Sequence, residues 1–128
     1  MRIDGSRLIN CGVTSNGETV HLDLVDVVGK HVSLCLPFHQ ARSLTMTLPQ
    51  LLTFALKAQT GDDSARYVFT LAQWRIEAAA DSRLIITFGT PDGFEVSFCT
   101  TLQDGREFAQ ALRANVDWAP DRIQTPIN

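Results

Sequence analysis

The chain has 128 residues, a formal net charge of −3 and a pI of about 5.5, and its eleven Lys and Arg residues are scattered among fourteen acidic ones. A nucleic-acid-binding domain usually carries a basic face, so this balance disfavours a nucleic-acid partner without excluding one. The 45% hydrophobic and 20% charged residues are typical of a globular protein of one domain.

The cysteines and the N-terminus indicate a cellular location. Three cysteines without paired spacing argue against a disulfide framework and for a reducing compartment. The first residues lack the apolar segment of a signal peptide, and no apolar run reaches the roughly 20 residues of a membrane span. We expect a cytoplasmic protein without a membrane partner. Nine of the eleven basic residues are Arg, which favours a GC-rich bacterial source.

The chain begins with a predicted hairpin of two strands, residues 7–13 and 18–26. Between them, Asn16-Gly17 predicts a two-residue type I′ turn, because both residue types tolerate positive φ. This turn places three pairs opposite each other on one apolar face: Val13 with Val20, Cys11 with Leu22, and Ile9 with Leu24.

A third strand over residues 30–36 extends this sheet. The loop before it ends in Gly29, which suits the αL position of a bulged three-residue turn. The turn continues the apolar face through three further pairs: Leu24 with Val32, Leu22 with Leu34, and Val20 with Leu36.

A helix is predicted from Phe38 to about Gln59. Its apolar stripe has helical spacing and comprises Leu44, Leu48, Leu51, Leu52, Ala55 and Leu56. Pro49 interrupts this pattern, so we expect two helical pieces or a kink.

The second half of the chain repeats this plan at an offset of 64 residues. Residues 29–35, GKHVSLC, recur as residues 93–99, GFEVSFC, with four of seven identical. An extended stretch over 66–79, a turn, a strand, the loop Pro91-Asp92-Gly93 and a last strand follow in the same order. Asp104 and Glu107 predict a capping box that opens a helix over 105–117.

The predicted fold is therefore α+β, with internally duplicated βββα units of antiparallel meanders whose helices pack on one sheet face. We expect a single domain, 1–128, made of two repeats over about 6–60 and 66–118 and a tail, 119–128. Each helix has an apolar stripe and each meander has an apolar face, so the helix is expected to bury its stripe on the sheet.

Side chains on the opposite sheet face, together with the start of the extended stretch, form a candidate interaction face. It comprises His21, Asp23, His31, Cys35, Tyr67, Phe69, Leu71, Arg75, Glu95 and Cys99. Tyr67, Phe69 and Leu71 share the face of Arg75 if the strand runs straight, whereas a bulge near Ala72-Gln73 would turn these three side chains inward. An outward apolar patch is typical of a surface that binds a partner.

Some residues on or near this face are of types that carry chemistry in other proteins. His21, His31 and Cys35 supply ligand types that zinc prefers, but they lack a known ligand spacing. Cys35 and Cys99 occupy equivalent positions and could form a redox pair, and Cys35 with His39 could form a nucleophile pair. No phosphate-binding, dinucleotide-binding or hydrolase motif is present. We therefore predict no catalytic residue, no cofactor and no metal.

These observations favour a small non-enzymatic interaction module that binds itself or another protein. Duplicated sheet-plus-helix units are similar in topology to single-strand nucleic-acid-binding domains, which stack bases on aromatic side chains. Here Trp74, Phe88 and Phe98 are expected to point towards the helices, and Arg75 is the main cation of the open face. Single-strand nucleic-acid binding is thus the alternative function, and a small-ligand carrier or enzyme is the third.

Overall fold

The computed structural model describes residues 1–118, which form elements in the predicted order βββαβββα. They are β1 Gly5–Val13, β2 Thr19–Asp26, β3 His31–Pro37, α1 Phe38–Thr60, β4 Gln73–Ala79, β5 Arg83–Gly89, β6 Glu95–Thr101 and α2 Leu102–Trp118. Both sheets are antiparallel, with the orders β1-β2-β3 and β4-β5-β6, so the predicted α+β fold of duplicated units is confirmed. The predicted tail, 119–128, lies outside the described residues.

The described residues divide into two compact units, Met1–Tyr67 and a second unit that begins at Val68. In the first unit, the hairpin between β2 and β3 has the predicted register, with Leu24 opposite Val32 and Leu22 opposite Leu34. Gly29 has a φ of 88°, and its N–H donates to the carbonyl of Asp26 at 3.1 Å. This left-handed residue allows a three-residue loop to join two twisted strands.

The hairpin between β1 and β2 differs from its prediction at one pair. Val13 lies opposite Val20 and Cys11 opposite Leu22, as expected. However, an irregularity between Leu8 and Asn10 places Leu8, not Ile9, opposite Leu24. A β-bulge inserts one extra residue into a strand and shifts all later pairs by one.

The turn of this hairpin is longer than predicted. Gly17 has a φ of 75°, whereas Asn16 is not among the residues with positive φ, so the predicted type I′ turn is wrong. Instead, Thr14 and Thr19 close a four-residue loop. The Asn16 Oδ1 atom accepts hydrogen bonds from Thr14 Oγ1 at 2.8 Å and from the Glu18 N–H at 3.1 Å. A two-residue turn at Asn16-Gly17 and the observed four-residue loop give the same strand register. The predicted pairs next to the loop are therefore correct although the turn type is not.

In the second unit, β4 is shorter than the predicted extended stretch. The sheet register ends where Gln73 pairs with Gly89, the last residue of β5. A further backbone hydrogen bond, from the Ala72 N–H to the Gly89 carbonyl at 2.8 Å, extends the pairing beyond Gln73. Residues 66–71 therefore lie outside the sheet, because β5 offers them no backbone to pair with.

The two helices begin and continue differently from their predictions. Helix α1 is one helix that includes Pro49, so of the two predicted alternatives the division into two pieces is wrong, and the kink stays a prediction. A proline removes one backbone bond but leaves the bonds of the turns on either side. Helix α2 begins at Leu102, and the Asp104 N–H donates to Thr101 Oγ1 at 3.0 Å. Thr101 is therefore the N-terminal cap, and the capping box predicted at Asp104 is wrong.

Each helix contacts two strands of the sheet that precedes it: α1 contacts β2 and β3, and α2 contacts β5 and β6. Gly105 marks the contact of α2, because a Cβ atom there would lie 2.6 Å from Leu84 Cδ1. Neither helix has a fully buried residue, so the apolar stripes are not buried as completely as expected, although Leu44 and Leu56 of α1 are half-buried. Among residues 1–118, the buried hydrophobic side chain is Ile86, at 9% exposure.

Within the described part of the chain, neither helix combines the length and apolar character that crossing a lipid bilayer requires.

Candidate interaction surfaces

The polar face of the first sheet is built from cross-strand rows. Paired residues in antiparallel strands point to the same side, so the register places Asn10, Asp23 and Ser33 in one row. The next row places His21 beside Cys35. The predicted grouping of His21, Asp23, His31 and Cys35 on one face therefore follows from the observed pairing, and their role in binding stays a prediction.

Asp23 is the centre of this face. Ser33 Oγ donates to Asp23 Oδ1 at 2.6 Å, and Asn10 Nδ2 donates to Asp23 Oδ2 at 3.3 Å. The hydrogen bond from Ser33 is the main cause that lowers the pKa of Asp23 below its ordinary value of 3.8. The bond from Asn10 and the charges of His21 and His31 act in the same direction, against partial desolvation. The carboxylate is thus held in its ionised form by its neighbours.

Ser33→Ala is expected to raise the pKa of Asp23 towards 3.8, because it removes the largest lowering interaction. A lowered pKa in the folded state stabilises the fold above the unfolded pKa, and this stability is lost as the pH falls through the folded pKa. The variant should therefore lose less stability on acidification than the parent. Titration of the Asp23 carboxyl carbon by NMR measures the shift. Ser97→Ala, at the equivalent position of the second unit, is the control; an equal effect of both variants would contradict this assignment.

His21 is positioned by its neighbour on β1. Gly12 pairs with His21, and a Cβ atom on Gly12 would lie 2.5 Å from the imidazole Cε1. The ring therefore lies over the bare backbone of Gly12, and its Nε2 is 3.9 Å from Asp23 Oδ2. In residues 1–118, no three His, Cys, Asp or Glu side chains gather closely enough to hold a metal ion. The zinc interpretation of His21, His31 and Cys35 has no geometric support.

The polar face of the second sheet repeats the central contact with different residues. Thr87 and Ser97, which occupy the positions of Asp23 and Ser33 at the 64-residue offset, are 2.8 Å apart between their hydroxyl oxygens. Thr87 is only 3% exposed. Both units therefore join β2 to β3, or β5 to β6, by a side-chain hydrogen bond at the same place. The duplication extends to the polar face.

Arg75 is neutralised on this face. Its Nη1 donates to Glu95 Oε1 at 3.0 Å, and its Nε lies 3.8 Å from Glu77 Oε1. The hydrogen bond and charge of Glu95, with a smaller contribution from Glu77, raise the pKa of the guanidinium. The predicted main cation of the open face thus faces two carboxylates, which weakens it as a phosphate contact.

The two equivalent cysteines are free, exposed and on the polar faces of their own sheets. Cys35 lies opposite His21, and Cys99 lies opposite Ile85. Arg83 Nη1 is 3.9 Å from the Cys99 sulfur. Both residues line an open pocket together with Thr101 and Asp104. Their environments therefore differ, although their positions in the repeat are the same.

Tyr67, Phe69 and Leu71 are each about half exposed. They precede β4, so they do not continue the row of Arg75 along a straight strand, nor does a bulge within β4 turn them inward. Phe69 stacks on Phe94, with ring centroids 6.1 Å apart. These three residues therefore belong to a segment outside the sheet, and their role in binding stays a prediction.

The apolar face of the second sheet is exposed, which sequence reasoning missed. The register forms two apolar rows, Trp74–Phe88–Val96 and Ile76–Ile86–Phe98. On the outer strands, Trp74 is 65%, Ile76 is 63% and Phe98 is 56% exposed. The alternation predicted this face, but no local pattern could show that α2 leaves it open.

The apolar stripe of α2 is exposed as well. Phe108, Leu112 and Val116 are each about half exposed. In the described residues, α2 approaches β5 and β6 but not β4. The first unit shows the same pattern, with Val13 and Leu34 exposed on the sheet and Leu48 and Leu51 exposed on α1. Each unit thus presents an apolar sheet face and an apolar helix stripe.

Comparison of this chain with protein-family models, with curated proteins and with solved structures finds no match.

Proposed function

We propose that the protein is a non-enzymatic interaction module that works by binding a second copy of itself. The exposure of large apolar side chains on both the sheet face and the helix stripe of each unit carries this proposal. Contiguous apolar patches beyond a few hundred Å² are uncommon on monomers and mark sites of association. Covering them would also supply hydrophobic burial at roughly 25 cal/mol per Å².

The polar faces support a non-enzymatic role. Asp23 is engaged by Ser33 and Asn10, and Arg75 by Glu95. Side chains that satisfy each other across strands stabilise the sheet. A catalytic group is instead expected to aim at a substrate from a cleft, with a pKa tuned towards its reaction. We place the protein in the cytoplasm of a bacterium, which the three free cysteines and the excess of Arg over Lys support.

Single-strand nucleic-acid binding is the second candidate, and one observation favours it. Trp74 and Phe98 are exposed on a sheet face, where bases could stack on them. The pairing of Arg75 with Glu95, together with the net charge of −3, opposes it, because phosphate contacts dominate such affinity.

Multi-angle light scattering from low to high micromolar concentration tests the main proposal. We expect the mass to approach twice 14.1 kDa as the concentration rises. A single-chain mass throughout would contradict self-association. Phe69→Glu, with the adjacent Thr70→Glu as its matched control, tests the segment before β4. A selective loss of the dimer in Phe69→Glu would place this segment in the interface. Titration with a single-stranded oligonucleotide at low salt tests the second candidate, and unchanged Trp fluorescence would reject it.

A further inference from the structure

We infer that two copies associate by reciprocal exchange, in which α2 of each copy docks on the apolar face of the β4–β6 sheet of the other. This inference rests on the proposed self-association and names the surfaces that carry it. The contact is one helix stripe on one sheet face, made twice.

Helix α2 contributes the first surface. Its approach to its own sheet is marked by Gly105, which lies against Leu84 at the end of the apolar face. Beyond this first turn, the side chains of Phe108, Leu112 and Val116 remain about half exposed at helical spacing. An amphipathic helix gains most of its stability from burying such a stripe. The stripe therefore needs a cover that the helix's own sheet does not provide.

The sheet contributes the second surface. Ile86 on the central strand is 9% exposed, whereas its neighbours Ile76 and Phe98 on the outer strands are 63% and 56% exposed. Trp74 stands in the next row beside Phe88, whose ring centroid is 6.2 Å from that of Phe98. The exposed side chains thus flank a buried central residue. An apolar sheet face of this kind is stabilised by a helix laid on it.

The area favours a second copy as the cover. The six side chains of the helix stripe and the sheet face are between 48% and 65% exposed. Three of them are aromatic, with about 150–250 Å² each, and together with the three smaller aliphatic side chains they offer on the order of 600 Å² per copy. Stable dimers bury about 800 Å² per partner, of which a polar rim is part. Exchange of both surfaces therefore approaches a standard interface, whereas either surface alone falls short.

Symmetry gives the same answer. A two-fold axis applies one contact twice, so residue i meets residue j and residue j meets residue i. A single chain carries both the helix stripe and the sheet face that suits it. A second copy therefore carries both matching surfaces, whereas an unrelated protein would have to present two different ones. The first unit of the same chain also presents a sheet face and a helix stripe, so a parent that is monomeric at every concentration is the outcome that favours cover within one chain.

Charge variants in light scattering test the exchange. Ile76→Lys places a charge on the sheet face, and Leu112→Glu places one on the helix stripe. Each variant alone is expected to have the mass of one chain where the parent has the mass of two. Mixed in equal amounts, they are expected to regain the two-chain mass. In the mixed dimer, one contact joins an unchanged helix stripe to an unchanged sheet face. The other contact places the negative charge of Leu112→Glu beside the positive charge of Ile76→Lys.

Matched controls carry the same charge changes on the opposite sides of the same elements. Gln73→Lys lies on the polar face of β4, and Gln110→Glu lies across α2 from Leu112. Both are expected to remain dimeric. A dimer in either single variant, or a folded pair that stays monomeric on mixing, would overturn the exchange while self-association stands. A parent chain that is monomeric at every concentration would instead overturn the proposed function itself.

If an introduced charge prevents folding, milder variants test the same exchange. Ile76→Ala and Leu112→Ala shorten the same side chains without adding charge, and each is expected to weaken the dimer about tenfold, as central interface residues do. Dissociation constants equal to that of the parent would overturn the exchange.

Discussion

Ile86→Ala is expected to lower the free energy of unfolding by about 2–4 kcal/mol, because truncating a buried isoleucine loses transfer free energy and leaves a cavity. Ile86 is 9% exposed and lies on the central strand between Ile76 and Phe98. In residues 1–118 it is the buried hydrophobic side chain. Small proteins are stable by roughly 5–15 kcal/mol, so this one substitution removes a large fraction of the total.

Urea unfolding followed by circular dichroism measures this loss. Ile85→Ala is the matched control, since the same side chain at the adjacent position points to the other face and is only half-buried. We expect the control to lose clearly less. If Ile85→Ala destabilised the protein as much as Ile86→Ala, the core of the second unit would not lie on the Ile86 face.

Gly93→Val is expected to cost about 1–3 kcal/mol, because a β-branched residue is strained in the left-handed region of φ. Gly93 has a φ of 91° and donates its N–H to the Thr90 carbonyl at 3.1 Å in the loop between β5 and β6. Among the described residues, no atom outside Gly93 and its two chain neighbours lies within 4 Å of a Cβ built on Gly93, so the cost comes from the backbone and not from a clash.

Gly29→Val tests whether the equivalent loop of the first unit contributes as much to stability as the loop that contains Gly93. Gly29 has a φ of 88° and donates to the Asp26 carbonyl in the equivalent loop, so we expect a similar cost. Gly5→Val is the control, because Gly5 has open space around its Cβ position and no positive φ. Thermal unfolding compares the three variants. Equal stability of Gly93→Val and the parent would show that the loop is not held in this conformation.

The strand registers were predictable where a short loop and the alternation of apolar residues agree. Gly29 and Gly93 each close a three-residue loop, and the alternation then leaves one register that keeps the apolar residues on one face. The predictions were wrong where two loop conformations give the same register, or where the bounds of a strand depend on a partner strand that is distant in sequence. The predicted and the observed loop around Asn16 give the same register, and β4 begins where β5 ends rather than where its own pattern begins.

The candidate interaction face was predictable only as a set of residues. Alternation placed Asp23 and Ser33 on one side of the sheet, but their 2.6 Å hydrogen bond depends on the pairing of two strands and on side-chain rotamers. The space that Gly12 gives to the ring of His21 is likewise a cross-strand contact. Such contacts carry no signal in the local sequence.

The sequence by itself determined two βββα units, the loops that end in Gly29 and Gly93, and the side of each sheet that is apolar, because these depend on residue alternation and on glycine in the left-handed region. Only the tertiary structure decided that the apolar stripe of α2 and the face bearing Trp74, Ile76 and Phe98 remain exposed. Amphipathic spacing states that a helix has an apolar side, but what covers that side depends on where the helix runs after its first turn at Gly105.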